Sequence, residues 1–249
     1  MTKDNKISKI GFSKIGGIFI GKDIVSNFHK HYALTVILSF GETFKLNTSE
    51  GYRDDFQFTL IQKNIDFSIE TYKEEYVAFI HIVPYSVEGI RLTDSTKPIK
   101  KLNSLKSQQS LSLIKDWYYS NYNTQEMVEK ILHSISLIPD TCSEKEEFDN
   151  RILRALSLIM ESEDEKLHVD NISKMVNLSV SHFNRLFKKE TGLTFRRFVL
   201  HSKLIKSISA IHENNSLTQA SFIGGFSDQS HLTRTFKENF GIKPSEVLK

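Results

Sequence analysis

The chain has 249 residues, 39% hydrophobic and 25% charged, with a net charge of +3, one cysteine and four prolines. That balance excludes a solvated disordered coil and a collagen-like rod, and it leaves length for one or two cores that need no covalent staples. Cys142 has no disulfide partner in the chain, which argues against a secreted disulfide scaffold and for a reducing compartment. No stretch reaches the roughly 20 apolar residues of a membrane span. The N-terminal Met-Thr-Lys-Asp-Asn-Lys lacks the apolar run of a secretory signal. The expectation is a soluble, cytoplasmic, uncleaved protein with no membrane partner.

Along the first 106 residues, short runs rich in Val, Ile, Phe and Tyr recur at 17–20, 32–40, 56–61, 67–71 and 76–83, separated by Gly, Asn and Asp. Short strands at such intervals predict an all-β sandwich or barrel. From Ser107 the period becomes helical. Leu111, Ile114 and Tyr118 mark one amphipathic helix, and Met127, Ile131, Ile135 and Ile138 mark a second that stops at Pro139-Asp140. The region 107–140 is a candidate dimerisation element, with packing onto its own barrel as the alternative. Residues 141–150, with the acidic stretch 143–149, read as an interdomain linker. A helix over 151–160 then leads into a domain spanning 151–249.

The net charge conceals a split. Residues 1–165 carry 20 Lys+Arg against 24 Asp+Glu, whereas residues 166–249 carry 13 against 6, a net of +7 in 84 residues. A basic module of this kind suits a polyanion. Within it the chain repeats itself: Ser-His-Phe-Asn-Arg-Leu-Phe-Lys-Lys-Glu-Thr-Gly-Leu at 181–193 returns as Ser-His-Leu-Thr-Arg-Thr-Phe-Lys-Glu-Asn-Phe-Gly-Ile at 230–242, an offset of 49 with six identities. Each copy predicts a helix capped by a serine, Ser179 or Ser227, and closed by a glycine, Gly192 or Gly241. Phe183, Leu186, Phe187 and Glu190 share one stripe of the first helix; Leu232 and Phe236 take that side of the second. The other stripe is polar and cationic. A shorter helix precedes each copy, with Val169, Ile172 and Val176 or Leu217, Ala220 and Ile223 as its apolar positions, and a tight turn joins the two. These are the marks of helix-turn-helix units at about 169–190 and 217–240. Between them 194–212 reads as one helix on the order of 25–30 Å long, close to the roughly 34 Å between successive major-groove faces.

A major groove offers guanine O6 and N7 to arginine, adenine N6 and N7 to asparagine or glutamine, and looser contacts to serine and threonine. Asn184, Arg185, Gln229 and Arg234 are therefore the principal base-reading candidates, with Ser181, Ser230 and Thr233 beside them. Lys188 and Lys237, a turn further on, suit phosphates. The pairs Ser181-His182 and Ser230-His231 complete no nucleophilic triad, since helix neighbours point about 100° apart. No catalytic residue, enzymatic activity or cofactor is expected.

The stretch from Gly225 to Lys237, followed by Gly241-Ile242-Lys243-Pro244-Ser245, resembles the signature of the AraC/XylS family of bacterial transcription regulators. The resemblance covers residues 166–249, about a third of the chain. It implies two helix-turn-helix motifs joined by a long helix, double-stranded promoter DNA as partner, and activation through RNA polymerase. Lys203 stands where the family's linker helix usually has arginine, and Ser173 and Ser221 replace a usual alanine. The first domain, chiefly through Phe28-His29-Lys30-His31-Tyr32 and 76–84, looks like the cupin-type jelly roll that often precedes such a domain. This implies a multidomain α+β chain whose β domain senses a small molecule or mediates homodimerisation. His29 and His31 share a strand face and would offer a metal two imidazoles, as in enzymatic cupins. No third ligand stands at a clear spacing, and 62–67 lacks the histidine many cupins carry there, so no metal is expected. A cupin-type metalloenzyme with an accessory basic domain, and an interaction protein that inhibits a related regulator, are the alternatives.

Overall fold

The computed structural model describes residues 6–13, 15–72, 74–94, 96–120, 125–138, 148–162, 168–213, 215–240 and 244. Cys142, the helix stop at Pro139-Asp140, most of the acidic stretch, Gly241-Ile242-Lys243 and Ser245 lie outside the described residues. The chain divides into two compact units between Ser143 and Glu144.

In the first unit the chain runs β1 (Lys6–Ser13), β2 (Gly16–Lys22), β3 (His29–Lys30), β4 (Leu34–Ser39), β5 (Phe44–Thr48), β6 (Arg53–Phe56), β7 (Phe58–Ile61), β8 (Asp66–Glu70), β9 (Tyr76–Ile82), α1 (Val87–Leu92), β10 (Ile99–Lys101), α2 (Leu105–Tyr119) and α3 (Gln125–Ser136). The strands form a six-stranded sheet, β1-β2-β9-β4-β7-β10, and a four-stranded one, β3-β8-β5-β6, antiparallel throughout. Neighbours distant in sequence, such as β2 with β9, are what a jelly roll requires. The expected β domain is therefore present, with β1, β3, β5, β6 and β10 added to the runs read from sequence.

The larger sheet is covered on both faces, which is why all six residues of 34–39 are buried and the run is mainly apolar, broken only by Thr35 and Ser39, rather than alternating with exposed positions. Leu34, Val36 and Leu38 join Ile18, Ile20, Ala78, Ile80 and Ile82 beneath the helices, where Leu111, Ile114, Trp117, Val128, Ile131, Leu132 and Ile135 meet them. Ile37 points the other way and packs with Phe44, Leu46, Phe56, Phe67, Ile69 and Val77. The apolar stripes of α2 and α3 are thus spent on their own sheet. A dimer built on these helices would use outward residues such as Leu105 and Tyr119, 76% and 73% exposed. Lys9 locks α2 in place: its Nζ sits 4.7 Å from the Trp117 ring centre and donates to the carbonyls of Trp117 and Ser120, a cation at the carbonyl end of a helix.

The second unit is helical: α4 (Asn150–Glu161), α5 (Val169–Met175), α6 (Val180–Thr191), α7 (Phe195–His212), α8 (Leu217–Ile223) and α9 (Gln229–Phe240). Asp149 caps α4, its Oδ1 accepting from the Arg151 amide at 2.9 Å, and the Arg151 guanidinium holds its carboxyl down at about 2. Phe183, Phe187 and Phe198 are fully buried and meet edge to face or tilted, with ring centres 5.2 and 5.4 Å apart. Leu232 and Phe236 are equally buried from α9. Helix α7, 18 residues from its Thr194 cap, is about 27 Å long.

Candidate nucleic-acid interface

The internal repeat carries into three dimensions bond by bond. In α5 the buried Ser173 hydroxyl donates to the Asp170 carbonyl at 3.1 Å; in α8 the buried Ser221 donates to Thr218 at 2.7 Å. Each α-helix then stops in a left-handed residue, Asn177 (φ 55°) or Gly225 (φ 76°). The next amide reaches back five residues, Leu178 to the Ser173 carbonyl at 2.9 Å and Phe226 to the Ser221 carbonyl at 2.8 Å. Both serines therefore fill a tight crossing with their hydroxyls satisfied inside the helix. Throughout this first half of each unit the offset is 48 residues.

It then becomes 49. The cap of α6 is Ser179, whose Oγ accepts from the His182 amide and whose carbonyl accepts from Phe183. In α9 the same two bonds are made by Asp228, to the amides of His231 at 2.8 Å and Leu232 at 3.2 Å. Ser227, expected as the cap, is the inserted residue: the second turn is one residue longer, and Ser227 Oγ donates to Asp228 Oδ2. A second correction concerns Ile223, expected to face inward. It ends α8 and is 55% exposed, as its equivalent Met175 is at 48%.

From either cap, the candidate residues lie two, five, six and nine positions on: Ser181, Asn184, Arg185 and Lys188 in α6, Ser230, Thr233, Arg234 and Lys237 in α9. All are exposed except the half-buried Thr233. The opposite faces are pinned by Phe183, Phe187, Leu232 and Phe236, so helix geometry turns these stripes outward. Among the described residues, none of the four cations is held in an ion pair. Gln229, at the first position of α9, has Val180 as its counterpart, and its Oε1 accepts from the Thr218 hydroxyl at 2.8 Å. Gly192 ends α6 in the left-handed conformation at φ 77°, as expected. Gly241 lies outside the described residues.

The long helix holds the second unit closely. A Cβ on Gly224 would stand 1.9 Å from Ser207 Oγ and 2.7 Å from the Lys203 carbonyl. Lys203 Nζ donates to the Gly225 carbonyl at 2.7 Å, so the lysine found where the family usually has arginine fastens α7 to the turn. His201, also on α7, has its pKa pushed down to about 4 by burial, which a hydrogen bond with Asn239 of α9 partly offsets.

Residues 172–249 match the family model described as a helix-turn-helix domain. This unit is an AraC-type helix-turn-helix domain. Relatives of the AraC-type unit include the Msm operon regulatory protein of Streptococcus mutans, 34% identical over 85 residues, or 33% of this chain and 30% of that protein. The HTH-type transcriptional activator RhaS of Escherichia fergusonii is 34% identical over 71 residues, 28% of this chain and 26% of RhaS. An HTH-type transcriptional regulator of Staphylococcus aureus aligns over 92% of this chain and 31% of its own length at 22% identity. The chain thus spans about a third of the length of the curated relatives it matches. Among solved structures, ToxT of Vibrio cholerae has the same fold: one structure covers 96% of this chain and 100% of its own at a TM-score of 0.60 and 16% identity. Another, of ToxT with a bound unsaturated fatty acid, gives 0.57 at 15%, covering 99% of this chain and 96% of ToxT.

In the sheet unit, His29 and His31 do come together, with ring centres 4.7 Å apart. The structure adds His81 from β9, 4.3 Å from His31 and 3.2 Å from Thr35 Oγ1. Burial holds the His81 imidazole well below its ordinary pKa, and His31 and His29 push the same way. Among the described residues no group of three or more His, Cys, Asp or Glu has the arrangement of a metal site. The sequence gives one clue to His81: it alternates inward with Val77 and Phe79 on a strand. Its meeting with His31 depends on strand pairing, which no local pattern reveals.

Proposed function

We propose that the chain is a sequence-specific DNA-binding transcription regulator, an activator, whose helices α6 and α9 enter successive major grooves of promoter DNA. One observation carries this: two helices with the same cap register present the same polar stripe outward, with arginines and lysines that form no ion pair among the described residues. Arg185, Arg234, Asn184 and Gln229 read base edges, with Ser181, Ser230 and Thr233 beside them, while Lys188 and Lys237 meet phosphates. The names of the relatives, RhaS among them, support activation, and contact with RNA polymerase is its simplest route. The sheet unit senses a small molecule, a role supported by the fatty acid held in ToxT, which shares its fold. Homodimerisation through the sheet unit and action in the cytoplasm complete the proposal.

The test is binding of the full chain to fragments of its own upstream region, followed by fluorescence anisotropy across roughly 50–200 mM salt. Affinity is expected to fall steeply as salt rises, and Lys188→Ala and Lys237→Ala each to lower the slope by about one. Slopes unchanged in both variants would remove these lysines from the interface. A chain that binds no upstream fragment above random DNA would defeat the reading as a whole.

A further inference from the structure

The two recognition helices share one register, and Asp228 begins α9 as Ser179 begins α6. Counted from Ser227, Arg234 would stand seven positions along its helix and Arg185 six; counted from the observed caps, the helix starts agree with the faces that the buried anchors set. With the observed caps, both arginines stand six positions on, each flanked by serine four residues before and lysine three after. The side opposite is anchored alike, by Phe183 and Phe187 in α6 and by Leu232 and Phe236 in α9, all fully buried. The neighbouring turns share their left-handed residue and their five-residue backward bond. Equal register, equal anchoring and equal side chain give equal reach.

Resting on the DNA-binding reading, we propose that Arg185 and Arg234 read the same base, a guanine, at the same place in two half-sites, so that the operator is a repeated element written twice about one helical turn apart. The remaining differences are then few and locatable. At the fifth position α6 has Asn184, which pairs with adenine through both amide groups; α9 has Thr233, whose methyl suits a thymine methyl and whose hydroxyl reads loosely. At the first position α9 has Gln229 where α6 has the apolar Val180. The second half-site therefore has one further specified base at the end facing Gln229, and the Thr218 hydroxyl holds that amide in place.

Selection from random duplexes with the full chain, followed by sequencing of the bound pool, tests this. Two blocks about ten base pairs apart are expected, in either relative sense, each with a G·C pair at the matching position. Arg185→Ala should relax that position in one block and Arg234→Ala in the other, each by about five- to a hundredfold. Asn184→Thr should make the first block's adenine position resemble its counterpart in the second. Blocks with no common guanine, or two arginine variants that relax the same block, would overturn the shared code while leaving sequence-specific binding intact. An unselective pool would instead strike at the DNA-binding reading. Both arginines are exposed, and unchanged far-UV circular dichroism of the variants separates lost contact from lost fold.

Discussion

Gly224→Ala tests the closeness of α7 to the second turn. The added methyl would lie 1.9 Å from Ser207 Oγ and 2.7 Å from the Lys203 carbonyl oxygen. Ser207 can swing its hydroxyl aside, but the carbonyl belongs to a helix backbone, which would have to retreat by about 0.7 Å to restore ordinary contact at 3.4 Å. Overpacking of this sort costs about 1–3 kcal/mol, and the retreat also strains the Lys203 bond to the Gly225 carbonyl. Ser207→Ala alone should change little, because its buried hydroxyl has no partner among the described residues. The double variant should recover part of the loss, leaving the carbonyl clash, and the cycle isolates the hydroxyl's share. The assay is urea unfolding followed by far-UV circular dichroism, with Trp117 fluorescence as control, since the chain's one tryptophan is buried in the sheet unit. An unchanged dichroism midpoint for Gly224→Ala would refute the close approach. The neighbouring Gly225→Asn should be tolerated, because Asn177 holds the equivalent left-handed position in the first unit.

Ile135→Ala, at a fully buried position between α3 and the larger sheet, should destabilise the sheet unit by about 2–5 kcal/mol, read as an earlier Trp117 fluorescence transition; a shift under about 0.5 kcal/mol would place this helix outside the core. Acid should weaken the same unit. The His81 pKa is lowered on folding, so its contribution is whole above the unfolded value of about 6.5 and is lost as pH falls below it towards the folded one. The Trp117 midpoint should therefore stay level at neutral pH and drop from about pH 6.5 downwards, less so in His81→Gln; equal drops in both proteins would clear His81 of the effect. At the second recognition helix, Asp228→Ala should lower the dichroism midpoint and Ser227→Ala leave it near the parent value, and the reverse order would restore Ser227 as cap.

Local periodicity made the repeat legible, because helix faces recur every few residues and α6 and α9 expose what their polar stripes promised. It did not show the change of offset from 48 to 49. An extra residue inside a turn alters no helical face, and Ser227 and Asp228 are both good caps. Ile223 was misread because a stripe drawn along a seven-residue helix says nothing about where the chain leaves the core. Among strands, 34–39 was plain because burial on both faces makes it mostly apolar, with Leu34, Val36, Ile37 and Leu38. The edge strand β1, with its lysines and glycine, and the short β5, with Lys45 and Asn47 facing out or half-buried, carry a weaker mark. The fastening of Lys203 to Gly225 and the approach of His81 to His31 join residues 22 and 50 positions apart, beyond the reach of any window.

Strand β9 belongs to two interiors at once. Val77, Phe79 and His81 look between the sheets, while Ala78, Ile80 and Ile82 bear on α2 and α3. The partition separating those spaces is a single polypeptide thick, with buried side chains seated on either face. A side chain enlarged on the histidine side would thus press on the same strand that floors the helices.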